Sequence, residues 1–274
     1  MHTIRDGVTL HYEVRGDGPP LLLLMGLGAP AEAWEQHVAV YQRHFRCILL
    51  DNRGAGDSDR PPGPYTTCMM AEDARAVLDA LGIATTAVAG ISMGSCIAQE
   101  LALAHPGRVS RLVLVSSWAH CDAYTRLVFE HFRQMRAIST AEEFQLLLQL
   151  WIFAPEHIAR NHAALAEARH GAVLTATRRG VANNAMPLGA FAAQIAACLA
   201  HDTRDRSTQL RTPTLLTVGS DDIFTPPRLT DELAQHLPDA RVSVFAGRGH
   251  AHHWEDLDRF NDLTTRFLRG EHAL

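Results

Sequence analysis

Apolar residues come in short, dense runs along this chain, separated by stretches of helical or irregular pattern. Residues 8–14 alternate apolar and polar side chains, with Gly7 and Gly16 at turn positions, which predicts a hairpin at the N-terminus. Residues 21–25 are uninterruptedly apolar between Pro20 and Gly26, the pattern of a strand buried on both faces. Similar runs recur at 47–50, 86–91, 112–115, 214–218 and 242–245. Helical spacing separates most of them. Residues 69–81 stop at Gly82 and 95–105 stop at Pro106-Gly107, while 227–237 and 257–268 give two further helices. Strand alternating with helix predicts an α/β protein, its mainly parallel sheet covered on both faces after an antiparallel start.

Between residues 115 and 214 the rhythm breaks, and only helix signals appear. Ser139 with Glu142 reads as a capping box, Pro155 suits a first helical turn, and Gly171 suits a stop. An alanine-rich apolar run follows at 187–199. The expectation is a helical cap, residues 118–211, inserted into a core made of 1–117 and 212–274.

Composition narrows the function classes. At 274 residues a single fold can bury roughly three quarters of its unfolded surface. Hydrophobic residues make up 47% and charged residues 20%, and a net charge of -5 offers no footprint for nucleic acid. No run approaches the ~18 apolar residues of a membrane helix, and residues 1–7 lack the apolar region of a secretory signal. Five scattered cysteines without a Cys-x-x-Cys pair fit reduced thiols in a cytoplasm. All 25 basic residues are arginine. Without lysine, Schiff-base chemistry, a P-loop and a Ser-Lys dyad are excluded.

The strongest local signal is Gly90-Ile91-Ser92-Met93-Gly94, lying between an apolar strand and a helix. A sharp strand-to-helix turn there exposes a serine hydroxyl at the sheet edge, and the Met93 N–H at the helix start favours an oxyanion. A second donor is expected from Met25-Gly26-Leu27-Gly28, through the Leu27 N–H. Such donors are each worth ~3 kcal/mol of transition-state stabilisation. Past the 214–218 strand, Asp221 and Asp222 both offer a carboxylate at the same edge. Past the last strand, His250 follows a glycine turn and completes the order Ser, Asp, His. His252 and His253 read as surface residues at a helix start. A metal centre from His250, His252, His253 and Asp256 lacks a second ligand group elsewhere, so no metal is expected.

With these residues placed, the chain from Thr9 to Leu268 resembles the α/β-hydrolases. The segment 51–58, Asp51-Asn52-Arg53-Gly54-Ala55-Gly56-Asp57-Ser58, resembles that family's loop after the fourth strand. Gly219, Asp222 and Pro226 match its acid loop, and Gly249-His250 its histidine loop, with Glu255, Asp256 and Phe260 in the following helix. The resemblance implies about eight strands, a cap after the sixth, and a Ser92–His250–Asp222 triad with Asp222 rather than Asp221. It is similar to the esterase and lactonase branch, including aclacinomycin methylesterases and 3-oxoadipate enol-lactonases. Met25 stands where most relatives have histidine, and Ser95-Cys96 replaces a usual glycine and a hydrophobic residue.

The expected reaction is therefore hydrolysis of a small to medium, mainly hydrophobic ester or lactone, with no cofactor. No nucleic-acid or membrane partner is expected, and a monomer or homodimer fits equally. Trp118 and Trp151 are candidates to line the pocket, or equally ordinary core aromatics. Carbon–carbon bond hydrolysis and perhydrolysis would use the same triad. From another class, Gly26-x-Gly28-x-x-Ala31 with Asp51 fits a dinucleotide-binding fingerprint and would make an NAD-dependent oxidoreductase, but leaves the triad unexplained.

Overall fold

The structure, a computed structural model, describes residues 1–178 and 186–271, with Ala141 and 169–178 as backbone only. Strands β1 (His2–Arg5) and β2 (Val8–Arg15) form the antiparallel hairpin. Then follow β3 (Pro20–Leu24), a 3₁₀ turn (Ala31–Trp34), α1 (Glu35–Tyr41), β4 (Arg46–Leu50), α2 (Thr67–Ala80), β5 (Thr86–Ile91), α3 (Met93–Ala104) and β6 (Val109–Val115). Four helices come next: α4 (Ala123–Ile138), α5 (Ala141–Ile152), α6 (Pro155–Arg178) and α7 (Leu188–Ala200). The chain returns to β7 (Thr214–Gly219), α8 (Pro227–His236), β8 (Ala240–Phe245), α9 (His252–Glu255) and α10 (Leu257–Leu268). All eight strands form one sheet in the order β1-β2-β4-β3-β5-β6-β7-β8, parallel from β4 onward.

Continuous apolar runs make sense in such a sheet because alternate residues feed opposite faces. Leu22, Leu24, Ile48, Leu50 and Val88 pack with α2, α3 and the helices between β6 and β7. Leu21, Leu23, Cys47, Leu49 and Ala89 pack against α1 and α10. Val242 and Val244 are the exception, half exposed because β8 is the outermost strand.

Several local expectations need correction. No helix is legible between residues 28 and 47, yet α1 forms there, anchored by buried Val38 and Tyr41. The capping box is Thr140 with Glu143, one residue on from Ser139 and Glu142. Ser139 is occupied closing α4, its N–H donating to the Met135 carbonyl. Gly171 stops nothing, and α6 runs on to Arg178; one internal glycine costs a helix only ~1 kcal/mol. Among the described residues no helix is long and apolar enough to cross a membrane.

His252 and His253 are buried, not on the surface. Internal partners make this possible: His252 Nε2 lies 2.9 Å from Thr217 Oγ1, and His253 Nδ1 lies 3.0 Å from His37 Nε2. His37 in turn meets Asn261 at 2.7 Å. Burial holds these rings neutral, lowering His37 to about 4, His252 to about 3 and His253 well below its usual value. His201, buried between α7 and α2, is likewise lowered to about 4.

Acid stability follows. The unfolded chain protonates these histidines below their ordinary value of ~6.5, while the folded protein resists until about pH 4. The unfolded state therefore binds more protons in that window, and stability falls as pH falls. Each histidine removes ~1.4 kcal/mol per pH unit. Melting followed at pH 7.5 and pH 5 should show a drop of about 10 °C or more. An unchanged midpoint would contradict the burial of neutral histidines.

Candidate active site

β5 ends at Ile91 and α3 begins at Met93, so Ser92 alone makes the turn. Its φ of 52° and ψ of -118° lie where a non-glycine residue pays about 1–3 kcal/mol. The flanking glycines are required by contact. A Cβ on Gly90 would sit 2.3 Å from the Gly94 oxygen, and one on Gly94 2.2 Å from the Leu24 oxygen. The Ser92 N–H donates to the Val115 carbonyl at the end of β6, 2.8 Å away. Its own carbonyl accepts from Ser95 Oγ at 2.6 Å, and that hydroxyl lies 2.7 Å from Ser117 Oγ. Ser95 thus braces the turn.

The loop after β3 touches this turn. A Cβ on Gly26 would stand 3.4 Å from Ser92 Cβ and 3.3 Å from the Ile91 oxygen. Gly28, at φ 75°, donates its N–H to Gln194 Oε1 of α7 at 2.9 Å. Gln194 Nε2 donates onward to the Arg53 carbonyl at 2.9 Å, and Asn52 Nδ2 to that of Met25 at 2.9 Å. The half-buried Leu27 lies between these two clamps. Nothing in the local sequence marks Gln194, which is 166 residues from Gly28.

At the same edge, His250 Nδ1 lies 2.9 Å from Asp222 Oδ2 and 3.0 Å from Thr225 Oγ1. The other carboxylate oxygen accepts the Phe224 and Thr225 N–H groups at 2.9 and 2.8 Å. Burial would push the Asp222 carboxyl up, but His250 beside it and the Thr225 bonds outweigh that and hold it below the usual range. An ionised carboxylate only accepts, so the His250 Nδ1 facing it carries a proton. Asp221 is exposed, and its carboxylate takes the Ser220 hydroxyl instead.

Ser116 joins the two halves of the site. It follows Val115, the acceptor for Ser92, and its Oγ donates to the His250 carbonyl at 3.2 Å. Its own carbonyl accepts from Thr225 Oγ1 at 3.3 Å. Ser116 sits at φ 51°, a strained position for a non-glycine residue. Gly249 completes the packing, since a Cβ there would meet Ile152 oxygen at 2.7 Å and Ala154 nitrogen at 2.8 Å.

A belt of aromatic rings spans the site. Phe191 lies against Gly28 and 5.5 Å from Phe144, which is 5.8 Å from Phe132. Phe132 is 4.8 Å from Phe224, and Phe224 is 4.9 Å from His250. Trp151 joins this belt through Phe132 and Phe224. Trp118 is one ring removed, fully buried against Phe129 and His201.

The dinucleotide fingerprint is consumed by other bonds. Asp51 Oδ1 accepts the Ala31 N–H at 2.7 Å, while Oδ2 meets His11 Nδ1 at 2.8 Å and the Asp57 N–H at 3.0 Å. Asp51 is therefore a buried turn organiser, its carboxylate packed beneath Gly56. The histidine quartet is not gathered around one point either, since His252 and His253 turn to Thr217 and His37. Among the described residues, the one group placed to share an ion is His11, Asp51 and Asp57.

Comparison with known proteins agrees with the fold. Residues 19–257 match the profile of the alpha/beta hydrolase fold. A candidate carbamate hydrolase, RutD, of Azorhizobium caulinodans is 35% identical over 258 residues, covering 94% of each chain. The enol-lactonase of Burkholderia xenovorans superposes with a TM-score of 0.86 at 26% identity, over 98% of this chain and 100% of that one. An alpha/beta hydrolase from a Medee basin deep-sea metagenome shares the fold at a TM-score of 0.89 and 20% identity, over 100% and 98% of the two chains. The chain is a hydrolase and belongs to the α/β-hydrolase fold family.

Proposed function

We propose that this hydrolase cleaves a carboxylic ester or lactone through an acyl-enzyme on Ser92. One observation carries the reading: a carboxylate-bound imidazole, His250, is tied through Ser116 to the strand end that holds the strained Ser92 turn. Ser92 Oγ attacks the carbonyl carbon as His250 Nε2 takes its proton. The carbonyl oxygen becomes an oxyanion held by the N–H groups of Leu27 and Met93. Among the described residues no acceptor engages the Leu27 N–H, which leaves it available for that role. The C–O bond breaks as the imidazolium protonates the leaving oxygen. Water then repeats the sequence on the acyl-enzyme. Asp222 fixes the tautomer and stabilises the imidazolium.

Residues 118–211, which carry helices α4 to α7, act as a cap in this reading, and the aromatic belt with Trp151 forms an apolar wall for the substrate. A single small molecule is the partner. A reducing, cytoplasmic setting is supported by five unbridged cysteines.

A second reading has its own support. The 35% identity to RutD favours a carbamate, whose carbonyl would react at the same serine. Turnover of p-nitrophenyl butyrate, a γ-lactone and an alkyl carbamate separates the two. The ester or lactone is expected to exceed the carbamate about 10-fold or more in kcat/KM, which corresponds to ~1.4 kcal/mol at the transition state. The reverse order would install the carbamate reading, and no turnover of any would remove both.

A further inference from the structure

Arg136, near the end of α4, is buried, with 9% of its surface exposed. A guanidinium does not give up its proton, so burying one calls for a counter-charge or full hydrogen bonding. Arg136 has little of either. Nη2 reaches the Met186 carbonyl at 3.5 Å, and the guanidinium lies over the Phe144 ring, 5.7 Å from its centroid. Among the described residues no carboxylate pairs with it. The sequence of 169–185 contains no Asp or Glu. Desolvation lowers its pKa, with no acidic neighbour opposing the shift.

Its position connects this cation to the site. Phe144, under the guanidinium, touches both Phe191 and Phe132. Phe191 leads to Gly28 of the loop beside Ser92, and Phe132 leads through Phe224 to His250. An uncompensated positive charge therefore stands behind an otherwise apolar wall. Elsewhere the chain does pair its buried arginine: Arg53 is met by Asp73 at 2.5 Å.

We propose that Arg136 recognises a carboxylate on the substrate, so that the enzyme acts on acyl compounds carrying an anionic group remote from the scissile carbonyl. The inference rests on the Ser92 reading for the reaction, but not for the binding of the anion. A planar carboxylate can take two parallel bonds from the guanidinium and supply the missing counter-charge. Because Arg136 is largely buried, the pair forms with little water to strip from the protein side. The hydrophobic wall then handles the chain between anion and carbonyl.

The test compares p-nitrophenyl butyrate with the mono-p-nitrophenyl esters of succinic, glutaric and adipic acids. Wild type is expected to prefer at least one half-ester by about 10-fold in kcat/KM. Arg136→Met should cut that half-ester by about 30-fold or more, and leave butyrate within about 3-fold. Equal use of butyrate and all three half-esters by wild type, or a parallel fall of both in the variant, overturns the proposal. Thermal melting supplies a readout independent of catalysis: glutarate should raise the midpoint of wild type but not of Arg136→Met. If that variant does not fold, wild type alone decides, since glutarate should stabilise it and neutral glutaramide should not. Equal shifts, or none, overturn the anion site. Absence of hydrolysis with a glutarate shift intact would instead sink the Ser92 reading and leave the anion site standing.

Discussion

Replacing Ser92 with alanine is expected to lower kcat on p-nitrophenyl butyrate by about 10⁴- to 10⁶-fold, with KM and melting temperature little changed. The size of the effect follows from what is lost. Without Oγ no acyl-enzyme forms, and only the oxyanion donors and substrate positioning remain. The fold should tolerate the change because the Ser92 turn is held by backbone groups. Its N–H bonds Val115, and its carbonyl accepts from Ser95. Alanine keeps both. A loss under about 10-fold would mean that another group carries the reaction.

Asp222→Asn is the second large effect, about 10³- to 10⁴-fold in kcat. One carboxylate oxygen faces two fixed N–H donors, those of Phe224 and Thr225. The amide of asparagine must therefore turn its NH₂ to the other side, toward His250 Nδ1 and the Thr225 hydroxyl. The hydroxyl can rotate to accept. The imidazole can accept only by moving its proton to Nε2, where it can no longer take the proton of Ser92. Catalysis then fails with little change in shape. Asp221→Asn is the matched control, because Asp221 is exposed and, among the described residues, its carboxylate bonds the Ser220 hydroxyl alone. It should leave kcat within about 2-fold. Equal losses at both positions would contradict the assignment of the acid.

The central strands were legible because burial on both faces leaves them mostly apolar, with few polar positions such as Thr217. Helices α2, α3, α8 and α10 were legible from their spacing and stops, within a few residues at their starts. The α2 helix begins earlier than its apolar pattern because Thr66 caps the Met69 N–H at 3.0 Å. α1 was not legible, being two turns long with Glu35, Gln36 and His37 opening it. The Ser92 turn and His250 were readable as local chemistry placed after strands, whereas only the family resemblance separated Asp222 from Asp221.

Their supports were not visible. Ser116, Gln194 and Thr225 act through bonds to backbone or side chains that folding alone brings near, and each looks like an ordinary polar residue in sequence. Arg136 reads in the α4 pattern as one more polar position on an amphipathic helix. His252 and His253 misled for the same reason, since their partners Thr217 and His37 lie 35 and 216 residues away. Long-range partners decide whether a polar side chain is solvated or buried, and periodicity carries no record of them.

The account stands on Ser92 being a nucleophile activated by His250. Incubation with a fluorophosphonate, followed by peptide mass spectrometry, tests this most directly. One adduct is predicted on the peptide containing Ser92, with labelling at least about 100-fold slower in His250→Ala. An unlabelled Ser92, an adduct confined to another serine, or the same labelling rate without His250 would contradict it.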